Sequence, residues 1–392
     1  MANIIDYLET EFASFEEKPF NAVDSLILSQ LCMVEFGSLV PAPTDVPRLL
    51  GRFTFNEILG VPAQKYVRIR DLLCAEHYDT MFTGLYAEGF RRNLIALAAS
   101  PRFREVELGN YVSLVDTEQQ TQFAAMTITY KDLFSYIAYR GTDGSFTSWK
   151  ENFNMAYRFP VPAQEQACEY VNAAVRDLPG EIYLGGHSKG GNLAVYAGVK
   201  MNEEARERVV RIYNHDGPGC KPGSISVEEF ASIKDKLCKT VPQDSVIGMM
   251  METLETPYVV KSFGRGTGEH EAFTWEVDLE KGDFVYLDSV SDQSLFTSET
   301  LDEWLGLYSD DARKTVVDAF FDTIEASGAK DATDILMGGP KSINLLILAA
   351  TNAADDKRAV VLSALKKLYD IAVRKFGQDV TSVRVHRLFM RP

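Results

Sequence analysis

Hydrophobic positions recur at two different spacings along this chain, and the spacing changes near Phe103. Before that point, apolar residues fall at helical intervals over residues 21–36 and 84–99. After it, apolar residues alternate with polar ones or form short runs, which is typical of strands. Strands are predicted at residues 111–115, 123–130 and 134–139, with a turn at Lys131-Asp132.

Strand and helix patterns then alternate through the middle of the chain. Strands are predicted at residues 181–184, 209–213, 240–241 and 258–263, and helices at 163–175 and 226–237. This alternation predicts a mostly parallel sheet with helices on both faces. Beyond residue 292 the pattern is helical, with helices expected at 309–328, 343–354 and 357–376. We therefore expect an N-terminal helical segment (1–100), an α/β core (101–291) and a C-terminal helical extension (292–392).

Composition narrows the possible partners and the compartment. The chain has 392 residues and a formal net charge of −16, which argues against nucleic-acid binding and against electrostatic docking on anionic membranes. The sequence shows no secretory signal, and its longest apolar run is too short to span a bilayer. Five scattered cysteines are typical of a reducing compartment. We expect a cytoplasmic protein with no metal site and no transmembrane segment.

The segment Gly186-His187-Ser188-Lys189-Gly190 carries the clearest chemical signal. It follows an apolar strand and precedes a helix of small and apolar residues, which is the context of a nucleophile elbow. The glycines allow a strained turn that exposes the Ser188 hydroxyl. The helix behind the serine directs backbone N–H groups at the reaction centre, and the Lys189 N–H is expected to bind an oxyanion.

A serine nucleophile needs a histidine base, and the chain has five histidines. In an α/β-hydrolase the order along the chain is Ser, then Asp or Glu, then His. His270 fits best because it follows Ser188 and lies in a glycine-rich loop after a late strand. His77 precedes the serine and His187 adjoins it. His215 directly ends a strand near Asp216, and His386, which lies beyond the predicted helical extension, stays open.

The acid that orients the histidine is expected one strand earlier. Asp244 follows the short strand that ends at Val241 and is the favoured candidate to accept the Nδ1–H of His270. Asp216, one strand nearer the elbow, stays open as an alternative. The segment Asp216-Gly217-Pro218-Gly219 is also typical of a turn.

Two segments together give a family resemblance. Tyr139-Arg140-Gly141-Thr142, with Trp149 shortly after, resembles the F-R-G-[ST] segment of class 3 lipases, and 186–190 resembles their G-H-S-x-G elbow. The resemblance places Thr142 in the oxyanion hole and is consistent with Asp244 and His270 as triad partners. Over residues 21–290 the chain is more similar still to an uncharacterised bacterial hydrolase family labelled Mbeg-like. The expected fold is an α/β-hydrolase fold with N- and C-terminal helical additions.

The expected activity is cofactor-free hydrolysis of a small-molecule or lipid ester through Ser188, His270 and Asp244, with Thr142 and Lys189 binding the oxyanion. A thioesterase, a peptidase and a non-catalytic scaffold remain alternatives. Residues 148–155 are too short and mixed to predict the lid helix of class 3 lipases. The Lys189 side chain is expected to be solvent-facing or ion-paired. The C-terminal helices are expected to pack on the core or to bind a protein partner.

Overall fold

A nine-stranded mixed sheet forms the centre of the molecule. A computed structural model describes residues 1–43, 65–84, 86–326 and 355–389. The sheet has the order β1-β2-β3-β4-β5-β6-β7-β8-β11, and β9 and β10 form a separate hairpin. The strands are β1 Tyr66–Arg68, β2 Glu107–Asp116, β3 Thr121–Tyr130, β4 Phe134–Tyr139, β5 Glu181–His187, β6 Val209–His215, β7 Leu237–Pro242, β8 Tyr258–Val260, β9 Val277–Asp278, β10 Asp283–Phe284 and β11 Tyr286–Leu287.

Helices cover both faces of this sheet. In the part of the chain that the structure describes they are α1 Ile4–Thr10, α2 Ala22–Leu31, α3 Tyr78–Met81, α4 Ala87–Ala99, α5 Phe146–Asn154, α6 Pro162–Ala174, α7 Lys189–Lys200, α8 Glu203–Arg208, α9 Val227–Ala231, α10 Asp292–Gly306, α11 Asp310–Ala326 and α12 Asp355–Phe389. The helix predicted at 343–354 lies outside the described residues. The predicted helix at 226–237 is shorter, because α9 ends at Ala231 and a 3-10 turn follows at Lys234–Lys236.

The parallel part of the sheet positions the functional loops. Strands β4 to β8 pair in parallel, each with the next, whereas β1 to β4 and the last pair, β8 with β11, are antiparallel. The carboxyl ends of β4 to β8 therefore lie at one edge, and the loops that follow them meet there. This arrangement is an α/β-hydrolase fold with helical additions, as the sequence predicts.

The N-terminal residues belong to the packing of the sheet. All ten residues of α2 are buried, and Asn21 caps the helix through a capping box with Asp24. Asp24 also forms a fully buried ion pair with Arg102, 2.6 Å from Nη2 to Oδ2. Residues 1–100, which were predicted to be helical, also contain a strand, β1, and this strand pairs with β2. The division into three domains remains a prediction.

The C-terminal helices pack beside the carboxyl edge of the sheet. Helix α11 contacts α5, where the Phe153 ring stacks on Phe320 with centroids 5.7 Å apart. Helix α12 contacts both α10 and α11. Among the described helices, none combines the length and apolar character that a bilayer crossing requires.

Candidate active site

Ser188 lies at a strained turn between β5 and α7. Its backbone has φ of 58° and ψ of −130°, a left-handed conformation that is uncommon for any residue except glycine. The turn is tight because Gly190 approaches the Tyr139 carbonyl oxygen so closely that a Cβ would collide with it. The Ser188 N–H donates to the His215 carbonyl oxygen at 2.9 Å. The sequence 186–190 therefore folds as a nucleophile elbow.

His270 is paired with Asp216. The distance from His270 Nδ1 to Asp216 Oδ2 is 2.6 Å, and the Asp216 carboxylate is completely buried. Because a carboxylate oxygen accepts this bond, Nδ1 carries a proton, and in the neutral ring Nε2 is the nitrogen without one. The other carboxylate oxygen, Oδ1, accepts from Ser245 Oγ at 2.5 Å and from the Gly248 N–H at 3.1 Å. These bonds fix the orientation of the Asp216 carboxylate and, through it, of the His270 ring.

The predicted hydrogen bond between Asp244 and His270 is not formed, and this part of the sequence prediction is wrong in its geometry. The Asp244 N–H donates instead to Glu269 Oε2 at 2.9 Å. The physical reason is strand order. Ser188 pairs with the end of β6, so Asp216, which follows β6, lies beside the elbow, whereas Asp244 follows β7 one strand further away.

Two side chains hold the backbone on either side of His270. His187 Nε2 is 2.9 Å from the His270 carbonyl oxygen, and Trp275 Nε1 donates to the Glu269 carbonyl oxygen at 2.9 Å. Because a carbonyl only accepts, His187 carries its proton on Nε2. Burial lowers the pKa of His187 well below its usual value, and the neighbouring His270 and His215 add to this effect. A neutral His187 is therefore a fixed donor to the His270 loop, a role that the sequence analysis did not predict.

His215 belongs to the core. Its ring bonds Ser25 Oγ through Nε2 at 2.8 Å and Thr240 Oγ1 through Nδ1 at 2.7 Å. Burial lowers its pKa to about 3, so the ring is neutral. With both nitrogens engaged, His215 has no capacity to act as the base for Ser188.

Glu269 is a second buried carboxyl group next to His270. The residue is 2% exposed, and burial, together with the adjacent Asp244 carboxylate, raises its pKa to about 7. The Asp244 N–H and, at 3.4 Å, the Gln243 amide donate to the two carboxylate oxygens. Sequence reasoning missed this group because an acidic residue before a histidine in a glycine-rich loop resembles an ordinary surface residue.

The loop after β4 lies directly against the elbow. A Cβ on Gly141 would lie 2.8 Å from the His187 carbonyl oxygen and 3.4 Å from Ser188 Cβ, so only glycine permits this approach. Thr142 follows, and its Oγ1 accepts from Asn152 Nδ2 at 2.5 Å. Among the described residues, neither the Thr142 N–H nor the Lys189 N–H has a hydrogen-bond acceptor. Two free backbone donors thus flank Ser188.

The Lys189 side chain points away from the cavity into a buried ion pair. Its Nζ lies 3.0 Å from Glu151 Oε2, and the two side chains are 1% and 0% exposed. The same Nζ donates to Gln122 Oε1 at 2.7 Å and to the Gln122 carbonyl oxygen at 2.6 Å. Ser148, whose Oγ accepts from the Asp143 N–H at 3.3 Å, also donates to Gln122 Oε1, at 2.9 Å. Gln122 therefore connects the elbow to the Thr142 loop.

A cavity of about 370 Å³ opens beside Ser188, His270 and Asp244, within the range of small-molecule sites. Most of its wall is apolar, as shown by the side chains Trp149, Phe153, Ile247, Met250, Trp304 and Leu365. Helices α10, α11 and α12 all contribute, so the C-terminal extension lines the site. Among the described residues, no cluster of His, Cys, Asp and Glu side chains has the arrangement of a metal site.

The strained elbow, the order of the loops and the sheet define this molecule as an α/β-hydrolase-fold protein. A family model, Mbeg1-like, matches residues 97–322, more than half of the chain. The chain belongs to the Mbeg1-like family. A solved structure, the crystal structure of M37 lipase, is similar with 15% identity and a TM-score of 0.30, over 41% of this chain and 63% of that lipase. The match thus spans less than two thirds of that lipase, and no curated protein matches the sequence.

Proposed function

We propose that this protein is a serine hydrolase that cleaves esters with an apolar acyl group. The observation that carries the proposal is the 2.6 Å hydrogen bond between His270 Nδ1 and a buried Asp216 carboxylate, beside a cavity that also contains the strained Ser188. This constellation leaves His270 Nε2 as the acceptor for a hydroxyl proton. Asp216 takes the orienting role that the sequence analysis assigned first to Asp244.

In the proposed reaction, Ser188 Oγ attacks the ester carbonyl while His270 Nε2 takes the hydroxyl proton. Asp216 stabilises the imidazolium that forms. The tetrahedral intermediate collapses, the C–O bond to the alcohol breaks, and His270 returns the proton to the leaving alcohol. Water then attacks the acyl-enzyme with the same proton transfers, which releases the acid and restores Ser188.

The negative charge of the intermediate needs donors that are already in place. The N–H groups of Lys189 and Thr142 are proposed to supply them, and the N-terminus of α7 adds its dipole to the same point. By precedent in other enzymes, one such donor contributes about 3 kcal/mol to the transition state. The buried hydrogen bonds of Lys189 and Ser148 to Gln122 support this role. They hold the elbow and the Thr142 loop together, so the two N–H groups keep the same distance from each other.

The cavity wall supports an apolar acyl group as the part of the substrate that is recognised. An alkyl chain gains about 0.8 kcal/mol for each CH₂ group that leaves water, whereas a peptide would bury polar groups against an apolar wall. An oxygen ester and a thioester present the same acyl chain to this cavity. Rates on matched oxygen and thiol esters of one acid would distinguish an esterase from a thioesterase.

A fluorophosphonate probe tests the proposal, because it reacts only with an activated serine. We expect labelling of the native protein and complete loss of labelling in Ser188→Ala. Ser232→Ala is the matched control, since Ser232 is an exposed serine on the surface, and it should label normally. Hydrolysis of a water-soluble, short-chain nitrophenyl ester should follow the same pattern. A native protein that neither labels nor hydrolyses the ester would favour the non-catalytic scaffold.

A further inference from the structure

Helix α12 carries an exposed apolar surface outside the cavity. Four side chains form it, and we name them the α12 stripe: Leu362, Tyr369, Val373 and Phe376, which are 44%, 68%, 51% and 65% exposed. Their spacing of seven, four and three residues keeps them on one line along the helix. Isolated exposed apolar residues are ordinary, but four in line on one helix form a continuous patch.

The charge of the chain is distributed unevenly around this patch. Helix α12 contains eight Lys and Arg against four Asp, a net charge of +4, while the rest of the chain carries −20. Helix α12 is therefore positively charged although the chain as a whole is negatively charged. Lys366, one turn after Leu362, is exposed beside the stripe.

Part of this positive charge holds α12 to its neighbours. Lys375 lies 3.0 Å from Glu299 and Lys357 lies 2.6 Å from Asp322. Arg374 pairs with Glu303. These pairs fix the inner side of the helix on α10 and α11, so the α12 stripe stays on the outer side.

The same helix also lines the cavity. Val361, Ala364 and Leu365 contribute to the cavity wall, and Leu365 is one helical turn from Leu362 of the stripe. Apolar side chains therefore continue around α12 from the outer surface to the cavity. The stripe and part of the cavity wall therefore lie on one helix, with Leu362 exposed and Leu365 lining the cavity.

We propose that the α12 stripe docks on a lipid surface with anionic headgroups, which supplies the acyl ester to the cavity. Exposed aromatic and aliphatic side chains on a positively charged helix are the features by which helices bind at a membrane interface. A second copy of this chain fits less well, because two stripes in contact would place two helices of charge +4 side by side. The docking proposal rests on the proposed function only for the identity of the delivered ester.

Vesicle co-sedimentation of the full chain tests the docking. Ser188→Ala is used so that the lipid is not consumed. We expect binding to vesicles of phosphatidylcholine with phosphatidylglycerol, weaker binding to phosphatidylcholine alone, and loss of this difference at high salt, which screens exposed charges. Lys366→Gln should weaken binding to the anionic vesicles by about fivefold, the effect of one cation near such a surface.

The double variant Tyr369→Ser/Phe376→Ser tests the stripe itself. It should weaken vesicle binding by at least about tenfold, since two large apolar side chains no longer leave water. Val227→Ser, which replaces a residue 70% exposed on α9, is the control and should bind as before. In the active background, both variants should hydrolyse a water-soluble short-chain ester at the native rate, because none of these residues lines the cavity.

Three outcomes would overturn the docking proposal. They are no binding to either vesicle, binding that the double variant leaves unchanged, and a native dimer by light scattering that the double variant converts to monomers. The last outcome would assign the stripe to a contact between copies. Failure of the proposed function is distinct, since it would appear as no fluorophosphonate labelling while vesicle binding persists.

Discussion

The cavity has two walls of opposite character. One, which we name the floor, is formed by the elbow and the strand-end loops, and its polar groups are held in defined hydrogen bonds, as the Asp216 carboxylate shows with three of them. The other, which we name the roof, is formed by α10, α11 and α12 and presents mainly apolar side chains such as Trp304 and Leu365. Directional bonds fix atoms for chemistry, whereas apolar contacts tolerate variation in shape. The comparison therefore predicts that floor variants change rate or stability, and roof variants change substrate preference.

The largest expected effect comes from the carboxylate of the floor. Asp216→Asn replaces the acceptor of the His270 Nδ1–H by an amide, which can favour the wrong tautomer of the ring. By the precedent of other triads, we expect kcat to fall by about 10⁴-fold. The measurement is steady-state hydrolysis of the short-chain ester, with the free energy of unfolding measured in parallel to separate lost chemistry from lost structure.

Asp244→Asn is the matched control for that experiment. Asp244 lines the cavity, but its bond to the His270 loop is made by its backbone N–H, which the substitution retains. We expect kcat within a few-fold of the native value. The reverse ranking, with Asp244→Asn the slower enzyme, would restore the sequence-based choice and would require a different His270 orientation during catalysis.

The strained turn at Ser188 and the loop that holds His270 could be predicted from the sequence because their signals are local. A glycine on each side of Ser188 and a glycine-rich loop at His270 are visible without any knowledge of distant contacts. The acid was ambiguous because Asp216 and Asp244 both follow strands in the same order along the chain. Only the lateral order of β5, β6 and β7 places Asp216 beside the elbow, and strand order depends on contacts between residues far apart in sequence.

The roof could be predicted as helices but not as a cavity wall. Val361, Ala364 and Ile371 are buried at helical spacing, as the periodicity of residues 357–376 predicts. An apolar helix face that packs on a core and one that lines a cavity have the same pattern, so the sequence does not distinguish them. The sequence allowed an ion-paired Lys189 but did not identify Glu151 as its buried partner, because the two residues lie on α7 and α5, far apart in sequence.

The next largest effect concerns the buried ion pair of the floor. Lys189→Met leaves the fully buried Glu151 carboxylate without its cation, which is expected to cost about 3–5 kcal/mol in the free energy of unfolding. Urea denaturation measures it. Lys150→Met is the control, because Lys150 pairs with the partly exposed Asp318, and it should cost about 1 kcal/mol or less. Equal losses in the two variants would contradict the claim that burial makes the Lys189–Glu151 pair costly to break. The double variant Lys189→Met/Glu151→Gln should recover part of the lost free energy of unfolding.

A smaller effect is expected from the pH dependence of Glu269. Its pKa in the folded chain is raised from the ordinary value of 4.5 to about 7, so between these values the unfolded chain loses a proton that the folded chain retains. Stability from this group is therefore present below about pH 4.5 and is lost as the pH rises through 7. Glu269→Gln should be more stable than the native chain near pH 8, by up to about 3 kcal/mol, and similar near pH 4.5. Thermal unfolding at both pH values measures this, with the exposed Glu280→Gln expected to show no such difference.

The smallest effect tests the roof. Ala364 lines the cavity and is 4% exposed, so Ala364→Leu adds three carbons to the space proposed for the acyl chain. For a series of nitrophenyl esters, kcat/KM should fall by about fourfold for each CH₂ group of the substrate that is displaced, which is 0.8 kcal/mol per group, while the shortest ester is unaffected. Ser363→Leu places the same side chain at an exposed position of the same helix and should leave the chain-length profile unchanged. If both variants gave the native profile, the acyl chain would bind elsewhere, and the roof would be a packing layer whose apolar character has no part in substrate choice.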